Sequence, residues 1–395
     1  VERLSPPAPV AAPTLDPART ADLAHAVRAR LAELFANAPK VSGPPPGVQI
    51  AYAEGDRVVY AESVGLADAA RGRPLTNTHA FTLASQSKPV AAVLAVRMAA
   101  AGLIDLDAPA MPLVRGWSPA PDQSAGFDAH AVTVRQLLAH TSGWDLRGFP
   151  MWPARDAARA PTVAALLSGA AGDGYRARMQ FDPGRTQLYS GAGYAILQLA
   201  LEGAGGAPYA ELLDRHVARP LGWRSTWAGW DPSRTAALAT GHAATTDRAP
   251  VERSFYPALA PSGLFGTASE LAALWSLVAA TALGDDSAAA GFVSGDAARA
   301  MLTACAPPGP DVAFGLGFAL TEWAGLTVFK HAGWCPGFWG TTEGLAELGV
   351  AASVQCSMSE PGGKFVAQRL CGFILERARA LHGRPAPPRP PRRTA

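Results

Sequence analysis

The 395-residue sequence predicts an α+β fold: one antiparallel sheet assembled from both ends of the chain, flanked by helices, around a large and mainly helical insertion. Three observations predict it. A helix and a strand-rich stretch open the chain, strand-rich stretches and a helix close it, and the text from about Ala84 to Leu283 is mostly Ala- and Leu-rich helix and loop.

Taken in order, Thr20 to Ala38 reads as an amphipathic helix, because Leu23, Val27, Leu31, Leu34 and Phe35 recur at helical spacing. "GVQIAYAEGDRVVYAESVGLAD" holds two β-rich runs around the turn "EGD", a hairpin signal. Strand-like text returns in "FGLGFAL", "GLTVFKHAGW" and "GVAASVQCSM". Lys364 to Leu381 closes with a helix whose apolar face is Val366, Leu370, Phe373, Ile374 and Leu381. One catalytic unit is expected over 16–383. Its sheet part covers about 20–83 and 312–383, its helical part about 84–311, with a cleft where the two meet. The lead over 1–15 and the basic, Pro-rich tail over 384–395 are expected to be disordered.

Composition excludes several functions. The hydrophobic fraction of 49% with 17% charged residues is globular. No apolar run approaches the roughly 20 residues of a membrane helix. Net charge is +2, and the tail's Arg384, Arg389, Arg392 and Arg393 account for more than all of it, so no basic face offers itself to nucleic acid. Cys305, Cys335, Cys356 and Cys371 have no CxxC spacing, which points to free thiols and no metal site. No cofactor fingerprint appears: HExxH, P-loop and dinucleotide motifs are all missing. The first residues lack the basic start and apolar run of a signal peptide, so a cytoplasmic location is expected, with a processed secreted chain as the alternative. Oligomeric state is not legible.

Chemistry concentrates in "LASQSKPVAAVLAVRMAAAGLIDLD". Ser85 and Lys88 are three apart at the start of a helical run, so hydroxyl and amine share a face. Pro89 fits only near a helix start. Free backbone N–H groups there favour the oxyanion of acyl transfer. A desolvated lysine can take the serine proton. SxxK alone is common, but partners follow in order: "LLAHTSGW", "FDPGRTQLYSGAGYAILQLALEGAGG", "RPLGWRSTW", "PSGLFGTASELAAL", "FGLGF" and "HAGW".

Together these segments resemble the serine β-lactamase and penicillin-binding-protein superfamily, nearest its class C and esterase-like branch of esterases, D-aminopeptidases and transacylases. The resemblance implies a β-lactamase/transpeptidase-like fold from about Val48 to the final helix. It makes Ser85 the nucleophile and Lys88 its proton-accepting neighbour. Tyr189 falls on the tyrosine of Tyr-x-Asn, which shuttles protons, and His331-Ala332-Gly333 falls on Lys-Thr-Gly. The backbone N–H groups of Ser85 and Trp334 would form the oxyanion hole. Whether Lys88 or Tyr189 is the acylation base stays open. His140 matches a loop-fixing residue.

Two departures bear on substrate. Gly191 stands where Tyr-x-Asn places its amide, and His331 replaces a permanently charged lysine with a group largely neutral at pH 7. Both argue against β-lactams and cell-wall peptides. Gly191, Gly333, Trp144, Trp152 and Trp339 are candidates for the substrate pocket, and the segment Phe149 to Arg178 for one of its walls. The expected function is therefore acyl-enzyme chemistry on a small-molecule ester or amide, resolved by water or by an amine or alcohol acceptor; transfer would suit natural-product or antibiotic assembly. A β-lactamase, D,D-peptidase or D-aminopeptidase is the enzymatic alternative, and a non-catalytic binding or sensor protein the alternative of another class. The absence of GxSxG excludes an α/β-hydrolase elbow.

Overall fold

The computed structural model describes residues 17–285, 291–305 and 312–384; the lead over 1–15 and the tail beyond 384 lie outside them. Helix α1 (Pro17–Ala36) buries Leu23, Val27, Leu31 and Leu34, the stripe that its spacing predicts. It lies with the closing helix α6 (Gly362–Leu381) on the outer face of the sheet.

Among the described residues the main sheet has eight strands. From the N-terminal end come β1 (Gly47–Glu54), β2 (Arg57–Asp68) and β3 (Arg73–Pro74). From the C-terminal end come β4 (Ala313–Phe314), β5 (Ala319–Trp323), β6 (Leu326–Cys335), β7 (Phe338–Leu345) and β8 (Val350–Cys356). Their order is β3-β2-β1-β8-β7-β6-β5-β4. The two ends are joined at its centre, where β1 runs antiparallel to β8 from Val48 opposite Cys356 to Glu54 opposite Val350. Both strands are buried along their whole length, as central strands covered on two faces must be.

Between β3 and β4 the chain builds a second body. Its core is α2 (Ser87–Ala100), α3 (Gly191–Gly205), α4 (Leu259–Ser262) and α5 (Ala268–Ala282). Helix α2 is buried on nearly every side from Ser87 to Val96, which an amphipathic surface helix would not be. Helix α5 packs its Ala268 and Ala272 on Ala51 and Ala53 of β1, so small residues let helix and sheet approach closely. The middle is not purely helical. Phe81–Thr82, Leu264–Gly266 and Trp227–Ala228 form a small sheet, and Trp152–Pro153 pairs with Ser254–Phe255.

A buried polar network ties this body to the main sheet. Gln86 donates from Nε2 to Gln355 Oε1 at 3.0 Å, and Gln355 Nε2 donates back to Gln86 Oε1 at 3.1 Å. Thr342 adds a bond to Gln86 Oε1 at 2.8 Å, and Ser353 Oγ accepts from Gln355 at 2.9 Å. All four side chains are buried, so each polar atom depends on the others. Gln355→Leu leaves the Gln86 amide without its reciprocal partner. It is expected to lower stability by about 1–3 kcal/mol, read as a reduced urea midpoint; an unchanged midpoint would show that the network contributes nothing.

Candidate active site

Ser85 sits in a single helical turn, Ala84–Gln86, just before α2. Ala84 there holds φ at 46°, a left-handed conformation strained for a residue with a Cβ. The turn is pinned from both sides. Ser87 Oγ donates to Ala84 O at 2.7 Å and accepts from Leu264 N at 3.1 Å, while Gln86 is held by the sheet network.

One turn on, Lys88 is completely buried. Its Nζ donates to Ser85 Oγ at 3.2 Å and to Pro261 O at 2.9 Å. The Tyr189 and Tyr194 rings lie 4.8 Å and 5.7 Å from it. Burial, with no carboxylate to offset it, lowers the Lys88 pKa to about 7. Helix α4, which presents the Pro261 carbonyl, is fixed by Gln198 of α3, whose Oε1 accepts from Leu259 N at 2.8 Å and Ala260 N at 3.2 Å.

Tyr189 approaches from the loop ahead of α3, which Ser190 caps by accepting from Gly193 N at 2.8 Å. The phenol lines the same cleft as Ser85. Burial raises its pKa above the ordinary phenol range, against smaller lowering effects of the Ser85 side chain and of the Arg147 charge. The loop-fixing reading of His140 matches the contacts. Its Nδ1 accepts from Ser190 N at 3.1 Å, its carbonyl accepts from Leu188 N at 2.8 Å, and its ring packs 4.6 Å from Tyr189. Burial keeps this imidazole neutral.

Strand β6 supplies the facing wall. β5 pairs with β6 only as far as Ala319 opposite Lys330, so from His331 onward that edge of β6 is open. The turn Pro336–Gly337 makes Cys335 and Phe338 the closing pair of a two-residue hairpin, whose N–H and C=O groups bond each other. By alternation Trp334 turns its N–H to the open edge, beside the turn that bears Ser85. His331 lies on the inner side with its ring 6.0 Å from Tyr189 and its Nδ1 2.8 Å from Ala332 O. Burial, reinforced by the Lys88 charge, lowers its pKa to about 3, so it is a neutral imidazole throughout the useful pH range.

Ser85, Tyr189, His331, Trp334 and Trp339 thus line one cleft of about 390 Å³. The other pocket candidates do not. Trp144 is 1% exposed and packs edge-on against Trp117 in the helical core. Trp152 belongs to the pair with Ser254–Phe255 and donates Nε1 to Asp156 O at 3.2 Å. Tryptophan in a Trp-rich chain usually fills cores, and that tendency decided both. No residue of Phe149–Arg178 lines the cleft among the described residues, so this segment is not its wall.

Both glycines are there for close approach. A Cβ on Gly333 would lie 2.0 Å from Leu83 O, so only glycine lets β6 touch the chain leading into the Ser85 turn. A Cβ on Gly191 would lie 2.7 Å from Arg147 O, because the Leu146–Gly148 backbone occupies that space and Leu146 O accepts from Gly191 N at 2.7 Å. Gly191 therefore does not leave an opening for substrate, and the carbonyl that holds Lys88 comes from Pro261 instead of a side-chain amide. Phe314, Lys330, Thr341, Glu343 and Gln368 also line the cleft and were not foreseen. For Lys330, Thr341 and Glu343 the sequence signal is alternation along β6 and β7, legible once the hairpin between them is recognised; Phe314 comes from β4 and Gln368 from α6. Among the described residues no His/Cys/Asp/Glu group could hold a metal, and no helix is long and apolar enough to cross a membrane.

Gly191→Asn, which rebuilds Tyr-x-Asn, is expected to lower stability by about 1–3 kcal/mol through overpacking and to confer no β-lactam hydrolysis. Denaturant unfolding and a nitrocefin assay check this; a stable variant that gains β-lactamase activity would refute the steric account.

A family model described as Beta-lactamase matches residues 26–362. Esterase EstB of Burkholderia gladioli is 30% identical over 306 residues, 66% of this chain and 72% of that protein. Penicillin-binding protein 4* of Bacillus subtilis (strain 168) is 32% identical over 177 residues, 44% of this chain; the match spans 36% of that protein's length. Among solved structures, that of SurE superposes with a TM-score of 0.70 at 22% identity, covering 95% of this chain and 80% of SurE. With its sheet from both chain ends, its Ser85–Lys88 turn and a family match along most of its length, this chain belongs to the Beta-lactamase family.

Proposed function

We propose that the protein is a serine hydrolase that cleaves a small-molecule ester or amide through an acyl-Ser85 intermediate. Family membership and the esterase EstB among its relatives support hydrolase chemistry of this type. The observation that carries the reading is Lys88: a fully buried amine 3.2 Å from a partly exposed serine hydroxyl, with a pKa of about 7 and no anion to keep it charged. Such an amine is a proton acceptor at neutral pH.

In this reading Ser85 Oγ attacks the carbonyl carbon while its proton passes to Lys88 Nζ. The oxyanion is received by the N–H groups of Ser85 and Trp334. Tyr189 stays protonated, its raised pKa unsuited to a resting phenolate, and relays a proton from Lys88 to the leaving group as the C–O or C–N bond breaks. Water then enters on the same relay and restores the serine. His331, neutral, orients the Tyr189 side of the site without adding charge. The missing charge at position 331 and the filled space beside Gly191 argue against β-lactams as the substrate. Transfer to an amine or alcohol is a second reading, favoured by the 52% exposed Trp334 at the mouth, which offers an acceptor an apolar surface.

Intact-mass measurement with aryl esters is expected to detect an acyl adduct on the native protein and none on Ser85→Ala; failure of every ester and of a fluorophosphonate to label Ser85 would sink the acyl-enzyme reading. Lys88→Met is expected to reduce acylation by at least about 100-fold with the fold retained by circular dichroism. Because Lys88 must be neutral to accept the proton, kcat/KM is expected to rise as pH increases through about 7 and to level off above it. His331, at about 3, adds no step there. A rate that falls across that range contradicts Lys88 as base.

A further inference from the structure

The cleft does not end at Ser85. It turns around the open edge of β6 onto the outer face of the sheet, the face that Leu326 and Val328 share with α6. There its floor is three cross-strand pairs: Lys330 opposite Glu343, Ala332 opposite Thr341, and Trp334 opposite Trp339. Gln368 of α6 closes the side.

This arm is built for positive charge. The Glu343 carboxylate is half-buried, and among the described residues it takes one hydrogen bond, from Thr341 Oγ1 at 3.1 Å, and no ion pair. Burial lifts its pKa above the ordinary range even though Lys330 and Thr341 pull it down, as befits a carboxylate short of a resident cation. The Trp339 ring already receives an ammonium, Lys364 Nζ at 5.1 Å from its centroid, and that lysine is itself paired with Glu360 at 2.9 Å. Lys330 is the competing charge. It lies opposite Glu343 on a long, half-exposed side chain that can extend to solvent.

We propose that this outer arm is a subsite for a cationic amine: a substrate or acceptor whose ammonium seats on Glu343 and whose apolar part lies across Trp334 and Trp339. The proposal deepens the acyl-enzyme reading by naming a substrate class. Its binding step stands apart from that chemistry, which the test exploits.

Calorimetric titration of the full chain with phenethylamine, phenethyl alcohol and phenylacetate compares cation, neutral and anion on one ring. Near neutral pH the amine is expected to bind at least about tenfold tighter than the alcohol, and the carboxylate most weakly. Glu343→Gln is expected to bring the amine to about the affinity of the alcohol, and Lys330→Gln to tighten the amine further. Equal affinities in the native protein, tighter phenylacetate, or a preference that survives Glu343→Gln would each overturn the proposal. Should Glu343→Gln fail to fold, Lys330→Gln decides: weaker amine binding there overturns the proposal, tighter binding supports it. No covalent step enters the titration. Intact Ser85 acylation with no amine preference sinks the subsite alone, and amine-selective binding without acylation sinks the chemistry alone.

Discussion

A lysine side chain buried without an anion is the constraint around which the site is arranged. Burying an ammonium costs several kcal/mol unless charge and hydrogen bonds repay it. Here the surroundings are neutral: the Ser85 hydroxyl, the Pro261 carbonyl and two tyrosine rings. The amine resolves the conflict by shedding its proton near neutrality, and a neutral amine beside a hydroxyl is what acyl transfer needs. The neighbouring imidazoles obey the same rule. His140 and His331 are both buried and both held neutral, so neither adds a positive charge beside Lys88.

Around that amine the scaffold works by close approach and by polar ties. Gly333 lets the sheet edge touch the turn that bears Ser85, and the Gln86–Gln355 pair fastens the same turn to the middle of the sheet. Gln198 steadies α4 and, through it, the carbonyl that orients Lys88. Ser85 and Lys88 on one continuous turn and helix, and Tyr189 on the loop ahead of α3, are therefore held by different parts of the fold. Such preorganisation keeps the reacting atoms near their working separations before any substrate arrives.

Much of this was legible in the residues. Long periodic segments announce themselves, so α1, α6 and the first hairpin fell within a few residues of expectation. Strand β7 did not. "FWGTTEGL" is interrupted by two glycines, which weaken a strand signal, yet pairing on both sides makes it a central strand. The cleft residues it carries, Thr341 and Glu343, went unseen with it. The Ser85–Lys88 turn, Tyr189 and His331 come from three distant parts of the chain and meet, because motif spacing encodes local geometry that the fold then assembles. The tryptophans were harder. Nothing local separates Trp144, sealed in the core, from Trp339, which floors the cleft; tertiary packing alone decides. Gly191 shows the same limit from the other side, since a missing side chain can mean open space or a backbone already standing there.

The seam at the centre of the sheet has a consequence for how the protein comes into being. β1 closes on β8, and Gln86 finds Gln355 across 269 residues of sequence, so among the described residues the turn that bears Ser85 gains its final support only from the last strand. Contacts of such long range are slow to form and cannot form on a partial chain. A nascent or truncated molecule would carry Ser85 and Lys88 without the sheet edge that completes their cleft. The finished cleft around Ser85 is thereby a property of the whole sheet, written into strand order.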